Sequence, residues 1–405
     1  MRILFLTQIV PYPPNAGPRI KTWNVLRYLV ERGHQVVLAS FIRPEEQQYL
    51  PVIEAMCNQV FTVPIRRSRF ADIFHWLRSN FTGRPFLVER DNLVEMHTLI
   101  RRQVSDGSFD LVQADQLTMA QYALTAADAA PKNNRPKIVF DAHNATWMIL
   151  ERMMKSTSAF LRPILKLELA RLIHYEGLLI ENFDHTLAVT EIDRQAFLKV
   201  TNPKVAPEKI SVTPIAVDTG ELAPVKLKNG SRNILTLGSL QYPPNADGIR
   251  WFLREVFPLV RQSVPGVSLT IIGKKPPPDF YTLAEPYGGD VKITGYVDDL
   301  LPYYQEAAMI VVPVLAGGGM RVRILEAFSR ALPVVTTTIG LEGIDAVPEH
   351  DVLVENSPES FACAVVGLLN DPAQQAALAI NSRYLAETQY DWHVVLKKMD
   401  MLYQG

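Results

Sequence analysis

Two series of short apolar runs, alternating with amphipathic stretches, constrain this 405-residue chain more than any other feature. The first series comprises residues 2–10, 34–41, 109–113, 137–141 and 185–189. Continuous apolar runs are typical of strands that are covered on both faces of a sheet. Because a helical pattern, IKTWNVLRYLVERG, separates the first two runs at close spacing, the order predicts right-handed parallel crossovers.

The second series begins after residues 200–232, a segment rich in Pro, Lys and small polar residues. Its apolar runs are residues 233–237, 268–272, 291–294, 309–312 and 334–337. The composition of the intervening segment is typical of a linker. Two series of runs joined by a linker indicate two domains of similar size, as the chain length also favours.

We predict an α/β protein with two Rossmann-like domains, at residues 1–212 and 213–387, whose parallel sheets face each other across a cleft. A C-terminal helix at residues 388–405 is predicted to pack back on the first domain. Ligands of such sheets bind beyond the carboxyl ends of the strands. The loops that follow the strands are therefore the places to search for chemistry.

Composition excludes several classes of partner. The formal net charge is −1, so no global field attracts nucleic acid. Cys57 and Cys363 lie far apart in sequence, which predicts two buried thiols in a reducing compartment. No run reaches the ~20 apolar residues that span a bilayer, and the first run stops at Pro11 without the cleavage site of a signal peptide. We therefore predict a cytoplasmic protein.

The most informative segment is PVLAGGGMRVRILEAF, at residues 313–328. Three glycines let the backbone approach a ligand closely, and the helix predicted after them offers free N–H groups and a positive dipole end to an anion. Arg321 and Arg323 add two cations suited to a diphosphate. Glu326 shares a helix face with Arg323, where its carboxylate could accept hydrogen bonds from ribose hydroxyls. The alternative is a tight turn and a helix with a surface Arg323–Glu326 pair.

Two familiar nucleotide-binding motifs are missing. No Gly-Lys-Ser/Thr follows the three glycines, and the loop after the first run contains the single Gly17, which disfavours a P-loop protein and a nicotinamide dehydrogenase. The segments GGGMRVRILEA and LPVV resemble the donor site of retaining group 1 glycosyltransferases with the GT-B fold. The segments LGSLQYPPNADGIRWF, TGYVDDLLPYYQEA, GLEGI, DVLVENSPESFA and YDW resemble further landmarks of that family. The likeness is closest to sugar transferases of bacterial exopolysaccharide clusters and is sharper after residue 232.

The resemblance implies an enzyme that transfers a sugar, with retention, from a nucleoside-diphosphate sugar to a hydroxyl of a saccharide or lipid-linked acceptor. It implies catalytic roles for Arg321, Arg323, Glu326 and His143. It assigns donor binding to Gly17, Gly238, Lys274, Tyr296, Val297, Gly318, Gly319, Met320 and Glu326. We expect no metal ion and no cofactor besides the donor sugar nucleotide. For Gly17, an ordinary turn glycine is the alternative.

The sequence also departs from the family pattern. Gly318 stands where the family often has the first glutamate of a Glu-x7-Glu pair, and GSLQYPPNADG lacks a common Arg/Lys pair. Arg321 and Arg323, with Lys274, would have to supply that positive charge. A nucleotide-sugar-binding subunit without catalysis and, more remotely, a nucleotide-sugar epimerase therefore remain alternatives.

His143 follows an apolar run in the segment FDAHNATW. By resemblance, it contacts the transferred sugar or positions the acceptor. The alternatives are a partly buried histidine beside a helix cap supplied by Asn144. Asp141 and His143 alone are weak evidence for a metal site, and Asp298-Asp299 favours a helix start over an acidic metal pair.

The stretch RRSRFADIFHWLRSNFTGR, at residues 66–84, combines five arginines with four large aromatic residues. One interpretation is a solvated helix whose aromatic side chains are buried. The other is a docking surface for anionic lipid or a lipid-linked acceptor, in which Arg66, Arg67 and Arg69 contact the inner face of the membrane.

Overall fold

The structure is a computed structural model that describes residues 1–228 and 230–403, except the side chains of residues 155 and 156. It divides into two compact units. The first unit is Met1–Ala216 with the segment from Val395 onward, and the second unit is Val217–Val394. Each unit has its own hydrophobic core around one sheet.

The sheet of the first unit has seven parallel strands in the order β3-β2-β1-β4-β5-β6-β7. Its strands are β1 (Arg2–Thr7), β2 (Gln35–Ile42), β3 (Gln59–Pro64), β4 (Leu111–Asp115), β5 (Lys137–Asp141), β6 (His185–Ala188) and β7 (Ile210–Val212). Its helices are α1 (Gly17–Glu31), α2 (Leu50–Glu54), α3 (Arg69–Thr82), α4 (Phe86–Arg90), α5 (Val94–Val104), α6 (Ala120–Ala129), α7 (Thr146–Ser156), α8 (Arg162–Asn182) and α9 (Glu191–Val200). Because the strand order reverses between β1 and β4, these strands flank the point where such sheets bind ligands.

The sheet of the second unit has six parallel strands in the order β10-β9-β8-β11-β12-β13. Its strands are β8 (Asn233–Leu237), β9 (Ser268–Ile272), β10 (Val291–Gly295), β11 (Ala307–Val312), β12 (Val334–Thr336) and β13 (Leu353–Val354). Its helices are α10 (Pro243–Trp251), α11 (Phe257–Ser263), α12 (Pro278–Ala284), α13 (Leu301–Glu306), α14 (Val322–Ser329), α15 (Thr338–Leu341), α16 (Pro358–Asn370) and α17 (Pro372–Leu385). A last helix, α18 (Trp392–Lys397), begins in this unit and ends in the first. Here the order reverses between β8 and β11.

The predicted α/β class with two parallel sheets is confirmed. Strands β5, β8 and β9 have the predicted bounds, and the side chain of Thr190 caps α9 by accepting a hydrogen bond from the Asp193 amide at 3.0 Å. The sequence-based prediction missed β3, β7 and β13. β7 and β13 have three and two residues, too few to establish a periodicity. The segment 200–232 is predicted to be a linker, but it contains β7, which pairs with β6.

The C-terminal segment is not one continuous helix. Asp391 has an extended backbone between a short π-helix (Ala386–Tyr390) and α18. Its last part packs on the first unit. Asp400 accepts a hydrogen bond from the Tyr28 hydroxyl at 2.7 Å, and the Tyr403 hydroxyl donates one to Gln113 at 2.5 Å. The prediction of two buried thiols is wrong for Cys363, which is exposed. None of the described helices is long and apolar enough to cross a bilayer.

Candidate functional site

The glycine-rich loop of the second unit follows β11 and leads into α14, beside the reversal of strand order. Gly317 and Gly319 have φ angles of +108° and +82°, a region that favours glycine. The guanidinium of Arg321 donates hydrogen bonds to the carbonyls of Gly318, at 2.7 Å, and of Gly319. Arg321 and Met320 are buried. The loop is therefore braced from within by an arginine at the start of the helix.

Arg323, on the first turn of α14, connects this loop to the end of β8. Its guanidinium donates to the carbonyl of Leu237 at 2.9 Å and to the side-chain oxygen of Asn245, near the start of α10, at 2.8 Å. Gly238 makes room for it, since a Cβ at this position would lie 2.2 Å from Arg323 Nη1. The structure thus brings together Gly238 and Arg323, which are far apart in sequence, at the carboxyl end of the sheet.

Glu326 lies one turn further along α14 and is half-buried. Burial raises the pKa of its carboxyl group, while the charges of Arg330 and Arg323 act in the opposite direction. Among residues 1–228 and 230–403, no side chain or amide donates a hydrogen bond to this carboxylate. The proposed surface ion pair with Arg323 is therefore wrong, and the Glu326 carboxylate can accept hydrogen bonds from a ligand.

Two further predicted donor residues meet beyond the ends of β9 and β10. Lys274 Nζ lies 4.1 Å from the centroid of the Tyr296 ring, which is exposed. The neighbouring Val297 is half-buried. Asp299 Oδ1 accepts a hydrogen bond from the Leu301 amide at 2.9 Å, but Leu300 is the N-cap residue of α13, so the predicted helix cap at Asp298-Asp299 is wrong. An aromatic ring and a lysine thus border the same edge of the sheet as the glycine-rich loop.

The first unit carries a second group of polar side chains at the carboxyl end of its sheet. Thr7, Asp115 and Asp141 occupy the last positions of β1, β4 and β5 and are in register. The Nε2 atom of His143 lies 2.7 Å from Asp115 Oδ1, so the carboxylate orients the ring. His143 Nδ1 is buried and has no hydrogen-bond partner in the described part of the chain, which leaves it able to bond a ligand hydroxyl.

The carboxylates of this group are already paired. Ligand atoms of Asp115, Asp141 and His143 lie within 4.8 Å of one another, a grouping that could hold a metal ion. However, the buried ammonium of Lys21 forms an ion pair with Asp141, and Thr22 donates to Asp115 at 2.9 Å. Lys21 thus places a positive charge beside these carboxylates.

A cavity of about 280 Å³ opens beside His143. We call it the histidine cavity. The other residues that line it are Gln8, Gln116, Thr118, Asn144 and Thr146, with Arg90, Leu87 and Leu117. Gln116 has a φ angle of +73°, which costs a residue with a side chain on the order of 1–3 kcal/mol. Backbone strain of this kind clusters at active sites and ligand-binding positions.

The start of α7 differs from the cap that the sequence predicted. Asn144 does not cap the helix. Instead, Glu176 accepts hydrogen bonds from the Thr146 and Trp147 amides at 2.9 and 3.1 Å, and Asp193 accepts one from Ala145. Burial raises the pKa of Glu176 to about 7. His143 is buried, and its role at the transferred sugar or the acceptor stays a prediction.

Two family models divide the chain between them. The model described as "Glycosyl transferases group 1" matches residues 231–371, and the model described as "Glycosyltransferase Family 4" matches residues 21–221. The chain is a glycosyltransferase that carries a group 1 domain and a family 4 domain. One curated relative is an uncharacterized 44.6 kDa protein of the cps region of Klebsiella pneumoniae. It is 22% identical over 409 residues, and the match covers 96% of each chain.

Solved structures agree with this assignment at the level of the fold. Anabaena HepE, in complex with UDP and glucose, has a TM-score of 0.68 at 14% identity, with 100% of this chain and 99% of that chain covered. Sucrose-phosphate synthase from Thermosynechococcus elongatus has a TM-score of 0.69 at 16% identity, with coverage of 100% and 98%. The glycosyltransferase therefore has the GT-B fold.

Sequence reasoning missed several residues of the first unit. Lys21, Asp115 and Gln116 were not identified, and the one available signal was an acidic residue, Asp115, two positions after a predicted strand. Gly17 was identified as a loop residue, but it is the first residue of α1 and its φ angle is not positive. The turn-glycine alternative is therefore unsupported.

The aromatic residues of α3 face solvent, so the interpretation that they are buried is wrong. Phe70 and Phe81 are 87% and 90% exposed. The side chains at 70, 73, 74, 77 and 81 follow helical spacing, and we call this stripe the α3 apolar face. Arg67 forms an ion pair with the buried Asp91, whereas Arg66 and Arg69 are exposed.

Proposed function

We propose that this glycosyltransferase transfers a sugar from a nucleoside-diphosphate sugar to an acceptor hydroxyl, with the donor held by the second unit. The observation that carries the proposal is the glycine-rich loop and α14 beside the reversal of strand order, with Glu326 available one turn later. Amides at the start of α14 favour the diphosphate. The Glu326 carboxylate accepts hydrogen bonds from the two ribose hydroxyls. Tyr296 and Val297 border the base.

The chemistry follows from charge. Breaking the bond between sugar and phosphate places new negative charge on the departing diphosphate. Amides and cations aimed at that charge stabilise the transition state more than the ground state. Arg321 and Arg323 are buried or half-buried, where their field is screened less than in water. In the proposed reaction the acceptor hydroxyl attacks from the side of the leaving group, which gives retention.

Donor binding is tested first with Glu326→Gln. UDP is the first probe, because the structurally similar HepE was solved with UDP and glucose. We expect the variant to bind UDP about tenfold or more weakly, since hydrogen bonds to charged groups contribute about 1.5–3 kcal/mol. Isothermal titration calorimetry measures the affinities. A thermal-shift screen extends the search to other bases, as a ligand at about 100 times its Kd adds about 2.7 kcal/mol.

The matched control is Glu285→Gln, which removes an exposed carboxylate from the same unit. It should bind each nucleotide as the unmodified protein does. Equal binding by Glu326→Gln and the unmodified protein would place the ribose elsewhere. Absence of binding by every nucleoside diphosphate and sugar nucleotide tried would contradict the donor site itself.

We further propose that the enzyme acts in bacterial polysaccharide or glycoconjugate synthesis, at the cytoplasmic face of the membrane. The likeness over 96% of the chain to a protein of the Klebsiella pneumoniae cps region supports the pathway. The α3 apolar face supports the location: exposed aromatic and aliphatic side chains beside Arg66 and Arg69 suit the boundary of an anionic bilayer. A saccharide carried on a lipid would then be presented at that surface.

Membrane contact is tested by sedimentation with vesicles of phosphatidylglycerol and phosphatidylcholine. Replacing Phe70, Phe74 and Phe81 by serine should abolish binding, and Arg66→Glu with Arg69→Glu should weaken it strongly at low salt. Arg67 is left unchanged because its partner, Asp91, is buried. As a control, Ile380→Ser with Tyr384→Ser removes equally exposed apolar side chains from α17. Undiminished sedimentation of the α3 variants would contradict the proposal.

A further inference from the structure

A second cavity of the first unit, of about 300 Å³, is lined by three arginines. We call it the arginine cavity; Arg43, Arg67 and Arg90 line it together with Gln8 and Asp72. Gln8 follows β1 and Arg43 follows β2, so the cavity lies at the carboxyl edge of the sheet, where ligands of such sheets bind. Neither the donor proposal nor the resemblance uses these arginines.

The charges in the arginine cavity are incompletely paired. The buried Asp91 forms an ion pair with Arg67 and accepts a hydrogen bond from Gln8 at 2.6 Å. Arg90 Nε is 3.7 Å from Asp91 Oδ1 and makes no hydrogen bond. Arg43 has no ion-pair partner in the described ranges. Three guanidinium groups therefore share two carboxylates, those of Asp91 and Asp72.

The pKa of Arg90 agrees with this excess of guanidinium groups over carboxylates. Burial lowers its pKa first, and the positive charges of Arg67 and Arg43 lower it further, against the opposing effect of Asp91 and Asp72. Cations held close together in a partly buried space repel one another. An anion bound between them would relieve this repulsion, and guanidinium groups match phosphate oxygens in two-point contacts.

The arginine cavity adjoins the histidine cavity, because Gln8 and Arg90 line both. The histidine cavity is lined by residues whose side chains carry amides, hydroxyls and an imidazole, groups that suit the hydroxyls of a sugar ring. A polar space with one arginine, next to a space with three, matches a ligand that is a sugar at one end and an anion at the other.

We propose that the two cavities bind the acceptor as a glycosyl phosphate, with the sugar beside His143 and the phosphate between Arg43, Arg67 and Arg90. The inference rests on the proposed sugar transfer and names the chemical class of its acceptor. The phosphate is a recognition element and takes no part in bond making. A hydroxyl of the sugar is the nucleophile.

The test uses the full-length protein and a panel of α-hexose 1-phosphates, those of glucose, galactose, mannose and N-acetylglucosamine. Binding is measured by isothermal titration calorimetry for the unmodified protein, Arg43→Gln and Arg90→Gln. The tightest member of the panel should bind the Arg43→Gln variant about tenfold more weakly, as expected for a lost charge-assisted hydrogen bond. Because Arg43 is exposed, its replacement leaves folding intact, which the melting temperature verifies.

Three probes separate the parts of the ligand. The free hexose should bind at least about tenfold more weakly than its 1-phosphate. Glycerol 3-phosphate, which carries phosphate without a sugar, should also bind more weakly, and the corresponding uronic acid should not match the phosphate. Equal binding of the free hexose, of glycerol 3-phosphate or of the uronic acid would overturn the assignment of a glycosyl phosphate.

Two control variants locate the site. Arg102→Gln removes an exposed arginine of α5 and should leave hexose 1-phosphate binding within about twofold of the unmodified value. Arg323→Gln, in the second unit, should leave it unchanged while UDP binding falls. If Arg43→Gln and Arg90→Gln bind hexose phosphate normally while UDP still binds, the acceptor inference fails and the donor proposal stands. If the unmodified protein binds hexose 1-phosphate but not UDP, the donor proposal fails and the anion-binding site of the first unit stands.

Discussion

Replacing both Arg321 and Arg323 by alanine is expected to lower the turnover of sugar transfer by about 10²–10³-fold, the loss that follows removal of one preorganised donor from an oxyanion site. Each side chain has two tasks. In the proposed reaction, the guanidinium groups place positive charge where the diphosphate leaves. They also hold backbone carbonyls, of Gly318 and Gly319 for Arg321 and of Leu237 for Arg323.

The two tasks predict different results for lysine. A variant with lysine at both positions keeps the charge but cannot reproduce the two-point contacts of guanidinium. If charge dominates, the lysine variant should recover most of the turnover. If bracing of the loop dominates, it should resemble the alanine variant. Single-turnover rates at saturating donor separate either effect from weaker binding.

A matched control and a contradicting outcome complete the experiment. Arg232 is exposed and lies in the same unit, outside the predicted site, so Arg232→Ala should keep the unmodified rate. Thermal melting should show that the second unit of each variant is folded at the assay temperature. Unmodified rates for the double alanine variant would show that these arginines do not stabilise the leaving diphosphate.

The parallel sheets could be predicted from sequence because their strands are buried on both faces. β5 (KIVFD) and β8 (NILTL) are continuous apolar runs, and their predicted bounds are those of the structure. The edge strand β3 was missed because several of its side chains are partly exposed and interrupt such a run. The glycine-rich loop was identified because glycines and arginines at a helix start are a local signal.

The contacts within the site were beyond the reach of local patterns. Asp115 was missed because the predicted strand ended at residue 113, two residues before the strand reaches the carboxyl edge. The partner of Arg323 is Asn245, 78 residues away in sequence. Such pairs depend on strand order, which no periodicity in the sequence specifies.

Lys21 is the clearest case of a functional neighbour that sequence patterns hide. It lies on α1, 120 residues from its partner Asp141, and only 1% of it is exposed. Lys21→Met is expected to destabilise the first unit by about 3–5 kcal/mol, because removing one member of a buried ion pair leaves the other charge uncompensated. Asp141 would retain a hydrogen bond from Gln113 Nε2, at 3.3 Å, which does not neutralise the carboxylate.

A second substitution separates lost pairing from lost packing. Asp141→Asn in the Lys21→Met background removes the stranded charge at nearly constant volume, so it should recover most of the lost stability, as buried pairs replaced together cost little. Urea denaturation followed by fluorescence, fitted to separate transitions for the two units, measures the free energies. Lys132→Met, at an exposed lysine of the same unit, is the control.

The outcome decides what holds the polar side chains at the carboxyl edge of the first sheet in place. Lys21 neutralises Asp141 beside Asp115, and Asp115 in turn orients His143. If Lys21→Met unfolds at the same urea concentration as the Lys132→Met control, the ion pair adds nothing to stability. If the double variant is as unstable as Lys21→Met alone, the aliphatic stem of the lysine, rather than its charge, supports the sheet edge.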